Sequence, residues 1–125
     1  SQMYYCKKAY QVLKNGGLLV LLVPESFLSD DFSNKGDIEE INHMFNLIVQ
    51  FSLPADAFKE YGVTSFRTKA MILQKKSQYV TERPYTTKQE VLKHPQEIYQ
   101  THVLPVLQKK KKNAANIYLI GIASI

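Results

Sequence analysis

The feature that most constrains the fold is the uninterrupted apolar run LLVLLV at residues 18–23, which directly follows the turn NGG. An apolar run of this length without polar alternation predicts a strand covered on both faces, as in a parallel sheet. The preceding stretch MYYCKKAYQVLK has apolar residues at helical spacing from Met3 to Leu13, and the glycines are suited to ending such a helix. The chain is therefore expected to begin with a helix and a buried strand.

The next segments continue an alternation of helix and strand. A helical pattern places Ile38, Ile41 and Phe45 on one side, and FNLIVQFSL at residues 45–53 and KAMILQK at residues 69–75 are strand-like. About fifteen residues separate these two strands, too few for a usual crossover helix, so we expect them to pair antiparallel. The order predicts an α/β layered unit with one reversed strand.

The chain after residue 76 has a weaker pattern. We predict a first unit at residues 1–76 and a helical, basic extension at residues 77–125. Within that extension, TTKQEV is compatible with a helix capped by Thr86 or Thr87.

A second helical pattern of the extension begins at Pro95, a residue suited to a first turn. It places Ile98, His102 and Val106 on one side, and Pro105 is expected to kink or divide the helix. The closing stretch NIYLIGIASI predicts a strand, although a buried helix has a similar composition.

Composition narrows the class of protein. A chain of 125 residues that is 45% hydrophobic and 22% charged supports one core, and no apolar run approaches the ~20 residues that cross a bilayer. The net charge of +5 favours anionic partners. KKKK at residues 109–112 is better explained as a solvated helix end than as a nucleic-acid patch. The single cysteine, Cys6, favours a reducing cytoplasm and an unreactive position on a helix.

No complete enzyme constellation is present in the sequence. His43, His94 and His102 lack the spacing of metal ligands, and Ser26 is not in a Gly-x-Ser-x-Gly turn. KNGGLL precedes its strand, whereas a phosphate-binding glycine turn follows one. We therefore predict no catalytic residue and no metal site. Because the chain begins at Ser1 and not at Met, we expect it to be an internal piece of a longer protein.

Three stretches together resemble the amino-methylating DNA methyltransferases. They are AYQVLKNGGLLVLLVPESFL, FNLIVQFSLPADAF and GVTSFRTKAMILQKK, and they cover roughly residues 3–76. The pattern is similar to the N6-adenine branch of restriction–modification and phage type. The resemblance implies a Rossmann-like sheet that binds S-adenosylmethionine, with residues 18–23 as the fifth strand, residues 45–53 containing the sixth, and residues 69–75 as the reversed seventh.

Two motifs of that family are absent from this sequence: the glycine-rich loop for the methyl donor, and Asn/Asp-Pro-Pro-Tyr/Phe. The chain therefore resembles the carboxyl-terminal portion of such a domain, without the amino-terminal half. S-adenosylmethionine is expected as cofactor of the parent enzyme, and tight binding to this chain is not. The Leu18–Val23 strand is then left with an open edge. We expect that edge to cause self-association or to be covered by the tail at residues 116–125.

The resemblance also implies site residues. An aromatic residue after the sixth strand packs on the extruded adenine in such enzymes, and Phe58 in LPADAF is at the matching position. The alternative for Phe58, and the preferred interpretation of Tyr61 and Phe66, is a hydrophobic plug. Expected phosphate contacts, which position DNA without reading its sequence, are Lys59, Arg67 and Lys69. Expected cleft residues are Pro24, Glu25, Ser26, Tyr61, Gly62, Val63 and Thr64.

The first three cleft residues follow a strand, where open α/β sheets bind ligands, although a simple strand-ending turn explains them too. The leading functional hypothesis is a fragment of a DNA adenine-N6 methyltransferase that contributes target-base and DNA contacts. An RNA or protein methyltransferase fragment is the second hypothesis. A noncatalytic α/β interaction domain with a basic tail is the third.

Overall fold

The sheet is built around the strand Thr68–Lys75 (β3), which pairs antiparallel with both Leu18–Pro24 (β1) and Phe45–Ser52 (β2). A fourth strand, Ile117–Gly121 (β4), runs parallel to β1, so that the strand order is β2-β3-β1-β4. This computed structural model describes residues 2–54, 67–91, 94–108 and 117–121, the last range as backbone. The predicted α/β class and the reversed strand are confirmed.

The first helix, Gln2–Val12 (α1), ends at the predicted glycine turn. Gly16 has a φ of 75°, which glycine adopts without the steric penalty of a side chain. The end of the helix is also bound by the last residue of β3, since Lys75 Nζ donates to the carbonyls of Tyr10 and Leu13 at 2.7 and 3.0 Å. A cation is favourable at this negative end of the helix dipole.

The second helix, Lys35–Met44 (α2), stops one residue before the predicted strand. Phe45 has extended backbone angles, φ −134° and ψ 155°, and opens β2 while its ring stays buried. Its ring packs edge-on against Tyr10, with 6.0 Å between the ring centroids. The predicted apolar side of the helix therefore continues directly into the strand.

Both faces of the sheet are covered, as the apolar run of β1 predicts. One face packs against α1 and α2 through alternating residues of β1 and β3, and the other packs against residues 98–106. Strand residues of the first core include Leu19, Leu21, Val23, Met71 and Leu73. Those of the second include Leu18, Ile48, Val49 and Ile72. Residues 1–76 and the later residues thus contribute to the same two cores.

The helical cover of the second face consists of Pro95–Ile98 (α3), a π segment at Tyr99–Val103, and Leu104–Gln108 (α4). Pro105 has no N–H to continue the α pattern, and the chain instead stays helical through the wider π turn that precedes it. This extra residue shifts the buried side. Val103 is buried with Ile98 and Val106, where uniform spacing predicts His102.

Residues 81–90, here called the strap, run along the edge of β2 that faces away from β3. Leu47 N–H donates to the Arg83 carbonyl at 3.0 Å, and Glu90 N–H donates to the Gln50 carbonyl at 2.9 Å. The side chain of Asn46 also bonds the strap, through Arg83 N–H and the Thr81 carbonyl. The predicted helix capped by Thr86 or Thr87 is therefore wrong, because this backbone bonds the strand edge.

The predicted strand in the closing stretch is confirmed for Ile117–Gly121. Its register runs from Leu18 opposite Ile117 to Leu22 opposite Gly121. Five residues of β1 are covered by this pairing, so the tail lies along the edge that the sequence analysis expects to be open.

Tyr85 joins the strap to the first core, and its removal tests that connection. Its hydroxyl donates to the Leu28 carbonyl at 2.6 Å, and burial raises the pKa of Tyr85. Tyr85→Phe is expected to lower the free energy of unfolding by about 1–2 kcal/mol, because a buried carbonyl loses its donor. Urea unfolding measures the loss.

The matched control for this change is Tyr79→Phe, since Tyr79 is 84% exposed. It is expected to alter stability by less than about 0.5 kcal/mol. Equal losses for the two variants would contradict the buried role of the Tyr85 hydroxyl.

Candidate functional site

One edge of the sheet collects the ends of three strands. Because β1 and β2 both run antiparallel to β3, their carboxyl ends lie beside its first residues. Glu25 N–H donates to the Arg67 carbonyl at 2.9 Å, and Leu53 N–H donates to the Thr68 carbonyl at 2.8 Å. Open α/β sheets bind ligands outside the carboxyl ends of their strands.

A group of polar side chains from four chain segments lies at this edge. It consists of Glu25, Ser52, Lys69 and Gln89 and is called the edge cluster below. Ser52 Oγ bonds Glu25 Oε1 and lies 2.6 Å from Gln89 Oε1. Glu25, Ser52 and Gln89 are half-buried, so the cluster reaches from the interior towards the surface.

Lys69 is the buried member of the cluster, with 1% of its surface exposed. It stands opposite Val23 on one side and Ser52 on the other, so the three side chains share one face of the sheet. Burial lowers the pKa of Lys69 to about 8, and the negative charge of Glu25 opposes that shift. In the described part of the chain, Lys69 has no ion-pair partner at contact distance.

Gln50 extends the polar character of this face towards the strap. Its Nε2 donates to the Thr86 carbonyl at 2.7 Å, and it lies 3.4 Å from the Tyr85 hydroxyl. Its Oε1 is buried and has no hydrogen-bond partner among the residues that the structure describes. A buried amide oxygen without a donor is costly, which distinguishes this end of the sheet from its apolar centre.

The turn after β1 is held by its own hydrogen bonds. Asp30 Oδ1 accepts from the N–H groups of Ser33 and Phe32, both at 2.8 Å, and these bonds lower the pKa of Asp30. Leu28 is buried in the same turn with a φ of 53°, a strained value for a residue with a side chain. The turn leaves the ring of Phe32 91% exposed.

The predicted site residues are only partly brought together. Pro24 and Glu25 lie half-buried at the edge, while Ser26 and Arg67 are exposed. Lys69 is a correction: its ammonium group is in the interior and not at the exposed position that a phosphate contact requires. Outside the described residues lie Phe58, Lys59, Tyr61, Gly62, Val63 and Thr64, along with Phe66.

Sequence reasoning missed Ser52, Gln89 and Gln50 as members of this edge. Ser52 and Gln50 stand two positions apart in a mostly apolar strand, which is a usable indication that their shared side is polar. Gln89 has no comparable indication, because its position depends on how the strap follows β2.

Other chemical possibilities are limited within the described residues. No group of three or more potential ligands that could hold a metal ion occurs there, and no helix there is long and apolar enough to cross a membrane. Cys6 is buried in α1, and burial raises the pKa of its thiol to about 12. The expected unreactive position of Cys6 is thus confirmed.

Comparisons with known proteins give a similarity of fold. No protein-family model and no curated protein matches the sequence. A crystal structure of a Listeria monocytogenes protein, provisionally classed as a class I S-adenosylmethionine-dependent methyltransferase, matches with a TM-score of 0.57 and 21% identity. The match covers 86% of this chain and 31% of the other, so the chain spans about a third of that protein's length. The chain thus has the fold of part of a class I methyltransferase sheet.

The buried ammonium group predicts an unusual dependence of stability on pH. Lys69 has a pKa of about 8 when folded and an ordinary value near 10.5 when unfolded. Between these values the unfolded chain binds more protons, so stability is expected to rise with pH across this window. Lys69→Met should abolish that rise and raise stability at pH 7 by about 1–3 kcal/mol.

Urea unfolding at intervals from pH 7 to 10.5 measures this effect. The control is Lys76→Met, because Lys76 forms a partly exposed pair with Glu82 at 3.1 Å. That variant should keep the rise with pH. A Lys69→Met profile parallel to that of the unaltered chain would show that Lys69 does not titrate in this window.

Proposed function

We propose that this chain is part of a DNA adenine-N6 methyltransferase and contributes contacts to the target base and to DNA. The observation that carries the proposal is the common edge of β1, β2 and β3. The segment containing Phe58 leaves the sheet after Leu53 and returns at Arg67, and both of these residues are bonded at that edge. An aromatic residue here is suited to stacking on an extruded base.

Support comes from three independent features of the described residues. The chain has a class I methyltransferase fold with a reversed strand, and Glu25 lies at the ligand-binding end of the sheet. Arg67 is exposed at the same edge and supplies a positive charge where a phosphate contact is proposed.

The methyl donor is assigned to the parent protein and not to these residues. The turn from Pro24 to Asn34 contains no glycine, whereas a close backbone approach to a nucleotide-like donor uses a glycine-rich turn after a strand. The described residues therefore do not fit S-adenosylmethionine, and no chemical step is derived through it. Their proposed contribution is to bind and orient the substrate.

The experiment uses the parent protein with S-adenosylmethionine carrying a labelled methyl group. Duplex DNA, ribosomal RNA and a protein carrying accessible glutamine are offered in parallel, and modified nucleosides or residues are identified by mass spectrometry. N6-methyladenine in DNA is the expected product. Label in RNA or protein alone would establish the second hypothesis, and no transfer to any substrate would favour the noncatalytic interaction domain.

The role of Phe58 is tested in the same assay. Phe58→Ala is expected to lower kcat/KM for DNA by about 5- to 150-fold, because stacking of a base on an aromatic ring contributes about 1–3 kcal/mol. Phe58→Trp should retain more activity, since it keeps a stacking surface.

Thermal melting of each variant separates stacking from packing. Tyr79→Ala is the control, because Tyr79 is exposed and follows the opposite end of β3. That variant should keep normal activity. If Phe58→Ala melts much lower while its folded fraction methylates DNA normally, Phe58 is a hydrophobic plug.

A further inference from the structure

We propose that Glu25, Ser52, Lys69 and Gln89 form a clamp that fixes the two ends of segment 54–67 against the sheet. The clamp makes Glu25 and Lys69 positioning residues for whatever that segment binds. Its importance for methylation rests on the proposed function, whereas its effect on the sheet edge does not.

The first argument is where the cluster's members are anchored. Glu25 ends β1, Ser52 ends β2 and Lys69 begins β3, while Gln89 belongs to the strap. Two main-chain bonds lie among them, from Glu25 N–H to the Arg67 carbonyl and from Leu53 N–H to the Thr68 carbonyl. The residues that carry the side-chain contacts therefore adjoin those at which the segment leaves and rejoins the sheet.

The second argument is a count of protons around Ser52. Its hydroxyl lies between Glu25 Oε1 and the Gln89 amide oxygen but has one proton to donate. The carboxylate is an acceptor, so the Ser52 hydroxyl donates to Glu25. The Gln89 amide completes the chain after a half-turn that brings Nε2 to Ser52, because amide oxygen and nitrogen are exchangeable positions. The result is a directed series from Gln89 through Ser52 to Glu25.

The third argument concerns charge. The series ends on a carboxylate, and the cation beside it is Lys69, whose own pKa is raised by the charge of Glu25 against the effect of burial. With 1% of its surface exposed, Lys69 has little access to water. Each charge therefore depends on the other: without Lys69 the carboxylate loses the positive field that holds it inward, and without Glu25 the ammonium is isolated in a low-dielectric interior.

Amide hydrogen exchange by NMR on the 125-residue chain tests the clamp without any substrate. Glu25→Gln and Lys69→Met are each expected to speed exchange of the Glu25 and Leu53 amides by about tenfold relative to the Met71 and Leu73 amides. The double variant should exchange no faster than the single ones, because both changes remove the same interaction.

The matched controls are Glu82→Gln and Lys76→Met, which remove an ion pair at the opposite end of β3. They should leave the Glu25 and Leu53 amides unchanged. The clamp is refuted if Lys69→Met speeds exchange of all strand amides equally, or if the effects of Glu25→Gln and Lys69→Met simply add.

A second readout connects the clamp to substrate binding in the parent protein. Glu25→Gln should raise KM for DNA severalfold while kcat changes less, because the segment is misplaced but its contacts are intact. If exchange responds as expected and the parent methylates nothing, the clamp stands and the proposed function fails. If methylation is normal in Glu25→Gln and exchange is unchanged, the clamp fails and the proposed function stands.

Discussion

The antiparallel pairing of β3 with both β1 and β2 is the interaction on which the rest of the structure depends. The two outer partners run in the same direction and do not pair with each other. Every contact between them therefore passes through β3, whose Met71 and Leu73 face one core while Ile72 faces the other. A slip of one residue in this register would exchange the two faces and place apolar residues against the wrong helices.

The same pairing creates two outer edges, and the chain covers them differently. β4 adds a parallel strand beside β1. Along β2, the strap uses two amide side chains of the strand, Asn46 and Gln50, as well as main-chain bonds. Asparagine and glutamine carry both donors and acceptors, so each can satisfy an irregular backbone that a regular ladder cannot. This use of amides explains two polar residues in a buried strand.

The elements that depend on local patterns were predictable from sequence. The apolar run of β1, the glycine turn at Gly16 and the short connection before β3 each limit the backbone through residues close in the chain. The strap was not predictable, because TTKQEV has a usable helix start and only the tertiary bonds to β2 exclude it. The buried Val103 was likewise hidden, since the π segment before Pro105 changes the spacing on which periodicity relies.

The candidate site was predictable in place but not in composition. The rule that ligands bind beyond the carboxyl ends of strands located Glu25 from sequence alone. The same reasoning treated Lys69 as a surface cation because a lysine at a strand end is usually exposed. Whether it is exposed depends on what covers that face, and here one face of β3 carries Lys69 beside Met71 and Leu73.

This lysine gives the edge its physical character. An apolar residue at position 69 would continue the pattern of that face and would avoid the cost of burying a charge. Local rules of folding are most often broken where a chain binds something, since the cost is then offset by a function and not by stability. At this edge a buried cation, an amide oxygen without a donor and a strained Leu28 occur around the ends of the same strands. The centre of the sheet is apolar by comparison, so the departures mark the strand ends as the functional part of the fold.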